Sequence, residues 1–335
     1  MQQPLPPKPK KSKKIYWFLL FLLLAGGSYF FYQKRKTSEA LQSQALELVR
    51  FQQEKSFLDT LFTVTLYAID EVAAEQGFVA AFARGERLVE ASLGENPQSE
   101  LSLLNEASAH QWIRVSKDLW PLLNQAVDLA ELTSGAYDPL LGEEIDSASQ
   151  GLESKTDWET TKVDFAEGKV MKLEEDLRFD LSDMVKGYIA DEMLVALESK
   201  GIRVAQVTAG SDARCGQAPP REKGWPVKLR DHFGELTQVL VAAECAVFTS
   251  EEHIASEESS PIMATVIAQR GVMADGLATA ACAQPDFVSR LPSSTNIHSR
   301  ILQRGEMTTS KGFPALVPLF EGEEKPASAQ ESLGD

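Results

Sequence analysis

Cysteine is scarce in this 335-residue chain, and so is positive charge once the first 36 residues are passed. The three cysteines, Cys215, Cys245 and Cys282, are odd in number and widely spaced. That spacing matches neither a metal-ligand pattern nor a disulfide framework, and it reads as three small buried hydrophobic residues. Beyond residue 36 there are 25 basic against 49 acidic residues, a net charge of −24 where the whole chain carries −16. A polyanion is repelled by such a surface at long range, and no basic stripe with interleaved aromatic residues interrupts it, so nucleic acid is excluded as a partner. A small anionic ligand needs only a local positive spot. No Gly-x-Gly-x-x-Gly or Walker-type loop is present, so any dinucleotide must be held by other means. Internal repeats are absent too.

The first 36 residues hold eight Lys or Arg and no acid. Within them Ile15 to Tyr32 is an uncharged run of 18 residues, a helical rise of about 27 Å that nearly matches the hydrocarbon core of a bilayer. Five lysines precede the run and three basic residues follow it. The positive-inside bias then predicts a basic cytoplasmic tail at 1–14, a single-pass anchor in the inner membrane at 15–32, and the bulk of the chain on the extracytoplasmic side. The small residues Ala25-Gly26-Gly27 offer the alternative of a cleaved signal peptide. The apolar run continues past them through Tyr29-Phe30-Phe31-Tyr32, which favours the anchor. Residues 33–57 are polar, and from Thr37 they lack Gly and Pro, the composition of a helical stalk. At the other end, Glu321 to Asp335 is expected to be a disordered acidic tail.

Between stalk and tail, residues 58–320 suit one large α+β domain. Phe62, Val64 and Leu66 alternate with polar neighbours as in a half-buried strand. A helix is expected from Glu71 to about Ala91 with Val72, Val79, Phe82 and Val89 near one face, and another from a Ser116 cap to Ser134, stopped by Gly135. Lys169 to Leu173 and Leu177 to Leu181 read as two strands joined at Glu174-Glu175-Asp176. Five further strands lie between Val204 and Ala268, then a helix over Ala274 to Cys282 and a closing hairpin around Arg304-Gly305. Strands separated by helices that do not cross over in a regular alternation argue for α+β rather than a doubly wound sheet.

The stretch Asp180-Leu-Ser-Asp-Met-Val-Lys-Gly-Tyr-Ile-Ala-Asp191 sits at a predicted strand-to-helix junction, with Val185, Ile189, Met193 and Leu197 at helical spacing after it. Asp183 fits an N-cap. A lysine in a first turn runs against the helix dipole, so Lys186 either points to solvent or faces a bound anion. Likewise Gly135-Ala136-Tyr137-Asp138 is either a plain helix end and turn or the lining of a site.

The pattern Asp-Leu-x-x-x-x-Lys-Gly-Tyr-x-x-Asp resembles the central motif of the FAD:protein FMN transferase family, the ApbE-like flavin transferases. Other stretches resemble that family's landmarks in the right order. Leu58-Asp59-Thr60 stands for its opening Met-Gly-Thr, Ser99-Glu-Leu-Ser-Leu-Leu-Asn105 for Ser-Glu-Leu-x-x-Leu-Asn, and Gly135-Ala-Tyr-Asp138 for Gly-Ala-Phe-Asp. Thr249-Ser250 resembles the Thr-Ser-Gly turn, and Ala274-Asp-Gly-Leu-Ala-Thr279 the Ala-Asp-Ala-x-Ala-Thr motif. Three departures stand out. Asp59 replaces a glycine, Ala209-Gly-Ser-Asp212 replaces Leu-Gly-Gly-Asp, and His253-Ile keeps only the start of His-Ile-x-Asp-Pro-x-Thr-Gly.

The resemblance implies an ApbE-like fold and a Mg²⁺-dependent reaction with FAD as substrate. A Ser or Thr hydroxyl of an acceptor flavoprotein in a membrane redox system attacks the pyrophosphate, FMN is transferred and AMP leaves. It further implies that Leu58, Ala136, Tyr137, Asp138, Asp180 and Lys186 contact the flavin nucleotide, with Lys186 aimed at phosphate. Asp275 and Thr279 stand four apart on one helix face and are implied as metal ligands, with the Asp183 carbonyl as third; without the resemblance they read as surface residues. His253 is the candidate for proton transfer or a polar active-site role, a solvated loop histidine being the alternative. A non-catalytic FAD-binding relative, and a pyrophosphatase giving FMN and AMP, are the competing readings.

Overall fold

The computed structural model describes residues 48–92, 96–141, 161–164, 168–175, 177–231, 233–252, 261–291, 295–314 and 317–318. The predicted anchor, the basic tail before it, the acidic tail at 321–335 and His253 lie outside the described residues. Among the described residues no helix is long and apolar enough to cross a membrane.

A compact unit begins at Val49, and it begins with a strand. β1 (Val49–Phe57) pairs with β2 (Thr60–Ala68) in an unbroken antiparallel ladder from Val49↔Ala68 to Phe57↔Thr60. The end of the expected stalk helix is therefore the edge of the main sheet. Its polar, Gly-free composition suits an edge strand with one wet face as well as a helix, and the ladder to β2 decides between them. Phe57, the buried end of that strand, packs edge-to-face on Phe62 at 5.4 Å, a geometry worth about 0.5–1.5 kcal/mol beyond its area.

The main sheet has eight strands in the order β1-β2-β8-β9-β12-β13-β14-β15, adding β8 (Ala205–Ala209), β9 (Asp212–Cys215), β12 (Ala246–Glu252), β13 (Ile262–Ala268), β14 (His298–Gln303) and β15 (Glu306–Thr309). Every strand pair among the described residues is antiparallel, as an α+β domain requires. Side chains alternate between two cores. Phe62, Val64, Leu66, Val207, Phe248 and Val266 point into a core shared with the helices. Ala213, Cys215, Val247 and Ile267 point the other way, against Trp225, Val227 and Leu240 of a small sheet made by β10 (Trp225–Arg230), β11 (Leu236–Ala242) and β16 (Val317–Pro318).

Helix α1 (Glu71–Ser92) buries Ala74, Gly77, Phe78, Ala81, Gly85 and Leu88, while Val72 and Val79 are 67% and 59% exposed. The buried face is thus not the one its valines suggested. A Cβ on Gly77 would lie 2.5 Å from Ile202 Cδ1, so close packing selects small residues where periodicity looks for large ones. Helix α2 (Glu100–Glu106) starts on Ser99, whose hydroxyl accepts from the Ser102 N–H at 3.0 Å. Helix α3 (Trp120–Thr133) begins four residues after the expected Ser116 cap and ends on Ser134 and Gly135, both at positive φ.

The strands predicted as joined at 174–176 belong to different sheets: β6 (Lys169–Lys172) pairs with β3 (Trp112–Arg114) and β5 (Thr161–Asp164), whereas β7 (Arg178–Phe179) pairs with β4 (Leu140–Leu141). Helix α4 (Ser182–Ser199) has Leu181, not Asp183, as its N-cap residue. Asp183 lies in the first turn, where the dipole favours a carboxylate, and Lys186 falls into the second. Helices α5 (Gly271–Ala283) and α6 (Phe287–Arg290) complete the domain.

Candidate functional site

Helices α4 and α5 meet through two copies of one short pattern, Gly187-Tyr-Ile-Ala-Asp191 and Gly271-Val-Met-Ala-Asp275. A Cβ on Gly187 would sit 2.2 Å from the Gly271 oxygen, and one on Gly271 would sit 2.5 Å from the Gly187 oxygen, so only glycine lets the backbones touch here. Each aspartate then reaches across to the other helix. Asp191 accepts from the Gly271 and Val272 N–H groups at 2.8 and 3.1 Å, and also from Arg214 Nε at 2.6 Å. Asp275 accepts from the Gly187 N–H at 2.8 Å.

Asp275 is 2% exposed, which overturns its reading as a surface residue. Burial pushes its carboxyl well above the usual carboxylate range; Lys186 pulls against that shift, while the carboxylates of Asp212 and Asp183 reinforce it. Thr279, one turn on, shares its hydroxyl with Ser250 Oγ at 3.1 Å. Asp212 is itself buried and is raised to about 6 by burial, with Lys186 and the Thr249 N–H opposing. Its two oxygens are divided between the Thr249 N–H at 2.9 Å and Lys186 Nζ at 3.7 Å.

Lys186 connects this acidic cluster to an open cavity of about 630 Å³, within the range of small-molecule sites. Leu58, Asp180 and Lys186, three residues singled out from sequence, line it together with Asp59, Asn105, Arg178 and Phe179. Asn105 organises one wall, its Oδ1 accepting from the Phe179 N–H at 2.8 Å and its Nδ2 donating to the Phe179 carbonyl at 2.9 Å. A side chain here bonds both backbone groups of Phe179. The Asp180 N–H donates to the Pro139 carbonyl at 2.9 Å, and Asp180 Oδ1 accepts from the Ser182 N–H at 2.9 Å. Leu58 and Asp59 form the two-residue turn between β1 and β2, with φ of 50° and 54°. That is the handedness hairpins favour, and it explains why a glycine suits position 59.

Ala136, Tyr137 and Asp138 are not part of this cavity's wall. Tyr137 is 2% exposed, its hydroxyl donating to Met184 Sδ at 3.0 Å and its ring close to Gly276. Burial, and then the carboxylates of Asp183, Asp180, Asp275 and Asp138, raise its phenol well above the ordinary range, so it stays neutral beneath four acids. Asp138 Oδ1 accepts from the Leu140 N–H at 2.9 Å. A larger cleft of about 920 Å³ between α1 and the end of α4 contains none of the residues expected to do chemistry.

Among the described residues no three His, Cys, Asp or Glu side chains converge as a metal-binding group. The donors at hand are hard oxygens: the buried Asp275 carboxylate, which feels Lys186 on one side and Asp212 and Asp183 on the other, and the Thr279 hydroxyl. That donor set fits Mg²⁺ and suits a thiolate-preferring ion poorly. Sequence reasoning gave no role to Asp191, Asp212, Arg178 or the Gly187–Gly271 contact. The signal for Asp191 was present, as the last residue of the central motif, but the partner helix that gives it meaning lies 80 residues on.

The model of the ApbE family matches residues 58–290. No curated protein matches the chain. Among solved structures, the flavin transferase ApbE from Vibrio cholerae superposes with a TM-score of 0.66 at 16% identity, covering 79% of this chain and 98% of its own. The ApbE protein of Thermotoga maritima gives 0.67 at 18% identity, covering 78% and 97%. The apo flavinyl transferase ApbE of Pseudomonas stutzeri gives 0.66 at 18%, covering 79% and 96%. At such identities the likeness establishes the fold alone.

Proposed function

The chain belongs to the ApbE family, and from that premise we propose that it transfers FMN from FAD to a Ser or Thr hydroxyl of an acceptor protein, with release of AMP. The observation that carries this reading is the convergence of Leu58, Asp180 and Lys186 on one cavity, with Lys186 paired to Asp212 and acting on Asp275. An acidic chain presents a cation there. Lys186, held by Asp212, offers a directed ammonium to a pyrophosphate, while Leu58 supplies an apolar contact for a flavin ring. The hydroxyl oxygen forms a new bond to the FMN phosphorus, the bond from that phosphorus to the AMP oxygen breaks, and the hydroxyl proton must be taken up. His253 remains the candidate for that proton.

Mg²⁺ would be held by Asp275, Thr279 and the Asp183 carbonyl. Bound there, it supplies charge neutralisation on the phosphates. The Asp183 carbonyl suits this role for a reason visible in α4. Gly187 is its sixth residue, and a helix N–H at that position ordinarily bonds the carbonyl four residues back, which is Asp183. Here the Gly187 N–H donates to Asp275 Oδ2 at 2.8 Å, an acceptor that competes with that carbonyl. The apolar run at 15–32 places the domain outside the cytoplasm in this proposal, near membrane redox acceptors. Protease added to intact spheroplasts should digest the domain, and full protection would refute that placement.

The reaction is tested by incubating the full chain with FAD and Mg²⁺, with and without an acceptor flavoprotein. Covalent flavin fluorescence on the acceptor, with AMP released only when acceptor is present, is the expected result. Flavin bound but unchanged would make the chain a binding protein. Free FMN without acceptor would make it a pyrophosphatase.

A further inference from the structure

We propose that Cys215 and Cys245 are an oxidisable pair that closes a disulfide between the last residue of β9 and the residue that precedes β12. The sheet register carries the argument. Ala246 faces Arg214 and Val247 faces Ala213, and one step outward the same register sets Cys245 opposite Cys215. The Cys215 N–H donates to the Cys245 carbonyl at 2.8 Å, so the two residues are bonded neighbours across the strands. Directly opposed residues of an antiparallel pair project from the same face. Their surroundings agree: Cys215, Ala213 and Val247 lie in the core under the small sheet, and Cys245 packs against it. The alternate residues face the other way, Arg214 reaching Asp191 and Ala246 entering the helical core. Opposed residues of an antiparallel pair have Cα atoms about 4.5–5.5 Å apart, inside the roughly 4.4–6.8 Å that a disulfide spans, and Cβ atoms about 4.5–5.5 Å apart, so closure draws the two Cβ atoms together by roughly 1 Å. Both thiols are free in the structure.

Cys245 is the partly buried member and Cys215 the fully buried one, so oxidation begins at Cys245. Its thiolate attacks a small-molecule or protein disulfide, forms a mixed disulfide and displaces one thiolate. The Cys215 thiolate then attacks Cys245 Sγ, breaks the mixed bond and releases the second thiol. In balance, the two cysteines lose two electrons and two protons, and the oxidant becomes two thiols. Burial raises Cys215 to about 12, with Cys245 beside it adding to the shift, and it raises Cys245 too. Closure is therefore slow, as suits a structural cross-link acquired once rather than a rapid sensor. Its effect falls near the site: the link pins β9 three residues after Asp212 and the start of the chain entering β12 four residues before Thr249, the pair whose hydrogen bond orients the partner of Lys186. Nothing in this proposal depends on the transferase reading.

The full chain is incubated with oxidised glutathione, quenched in acid, denatured, alkylated and digested without reduction. The expected product joins the Cys215 peptide to the Cys245 peptide, leaves Cys282 alkylated, and raises the thermal midpoint by several degrees, reversibly on reduction. Cys282→Ser should retain the link and Cys245→Ser should lose both link and shift. Glutathione retained on Cys245 beside an alkylated Cys215, a link through Cys282, or two alkylated thiols under conditions that oxidise the unfolded chain would each overturn it.

Discussion

The two ends of the α4–α5 seam carry the same buried group and treat it in opposite ways. At one end Asp191 is met by Arg214, by Arg270 at 3.5 Å and by the two N–H groups that open α5. At the other, Asp275 receives the Gly187 N–H and makes no ion pair among the described residues; Lys186 acts on it from beyond ion-pair distance, with Asp212 and Asp183 opposing. A buried carboxylate surrounded by its own donors holds a fold together. One without an ion pair inside the same fold is a candidate position for a ligand that brings the charge. The repeated Gly-x-x-Ala-Asp pattern fixes both aspartates by one backbone contact, so the difference lies in their neighbours.

The largest expected effect is at the matched end. Asp191→Ala leaves Arg214 and the α5 N–H groups without their acceptor and should cost about 3–5 kcal/mol in denaturant unfolding. A loss below about 1 kcal/mol would erase the contrast between the two ends. At the other end, Lys186→Ala should weaken FAD by one charge-assisted contact, roughly 1.5–3 kcal/mol in a binding titration. Riboflavin, which has no phosphate, should bind the variant as it binds wild type. Equal weakening of both ligands would point to damaged folding.

The acidic end should also show itself in pH dependence. Asp212 is raised from 3.8 to about 6, so the folded chain holds this proton more tightly than the unfolded one. Its contribution to stability is complete below about pH 4 and is lost as the pH rises through about 6. Asp212→Asn carries no such proton. In flavin-free and metal-free buffer the variant should gain on wild type between about pH 4 and 7, on the order of 2 kcal/mol. A constant difference across that range would contradict the assignment. Smallest is the effect at the turn: Asp59→Gly relieves a left-handed residue and should stabilise by about 1 kcal/mol at most, read as a modest rise in the thermal midpoint.

What could be read from the chain alone followed the range of the interactions that decide it. The strand Phe62 to Leu66 and the helix ending at Gly135 rest on local pattern, and both stand. β1 has the composition of a stalk helix, because an edge strand with a polar face has no local mark that separates it from one; only β2 supplies it. The valines of α1 misled because close contact with Ile202 selects alanine and glycine on the buried face. In the site, Leu58, Asp180 and Lys186 came from motif resemblance and meet in one cavity, and Asp275 proved buried where periodicity alone had it exposed. Asp212 and Asp191 were legible as letters of motifs, without roles, since their partners Lys186, Thr249 and Gly271 lie 26 to 80 residues away along the chain.

The Asp275 end of the seam is expected to accept a cation. Calorimetric titration of Mg²⁺ in the presence of FAD, on wild type and on Asp275→Asn, tests it most directly, because the amide keeps the shape of the carboxylate and removes its charge. Wild type should bind the ion, and the variant should bind it at least tenfold more weakly while unfolding at the same or higher denaturant concentration. Equal binding by both proteins would place the ion elsewhere, and no binding by wild type would contradict the claim.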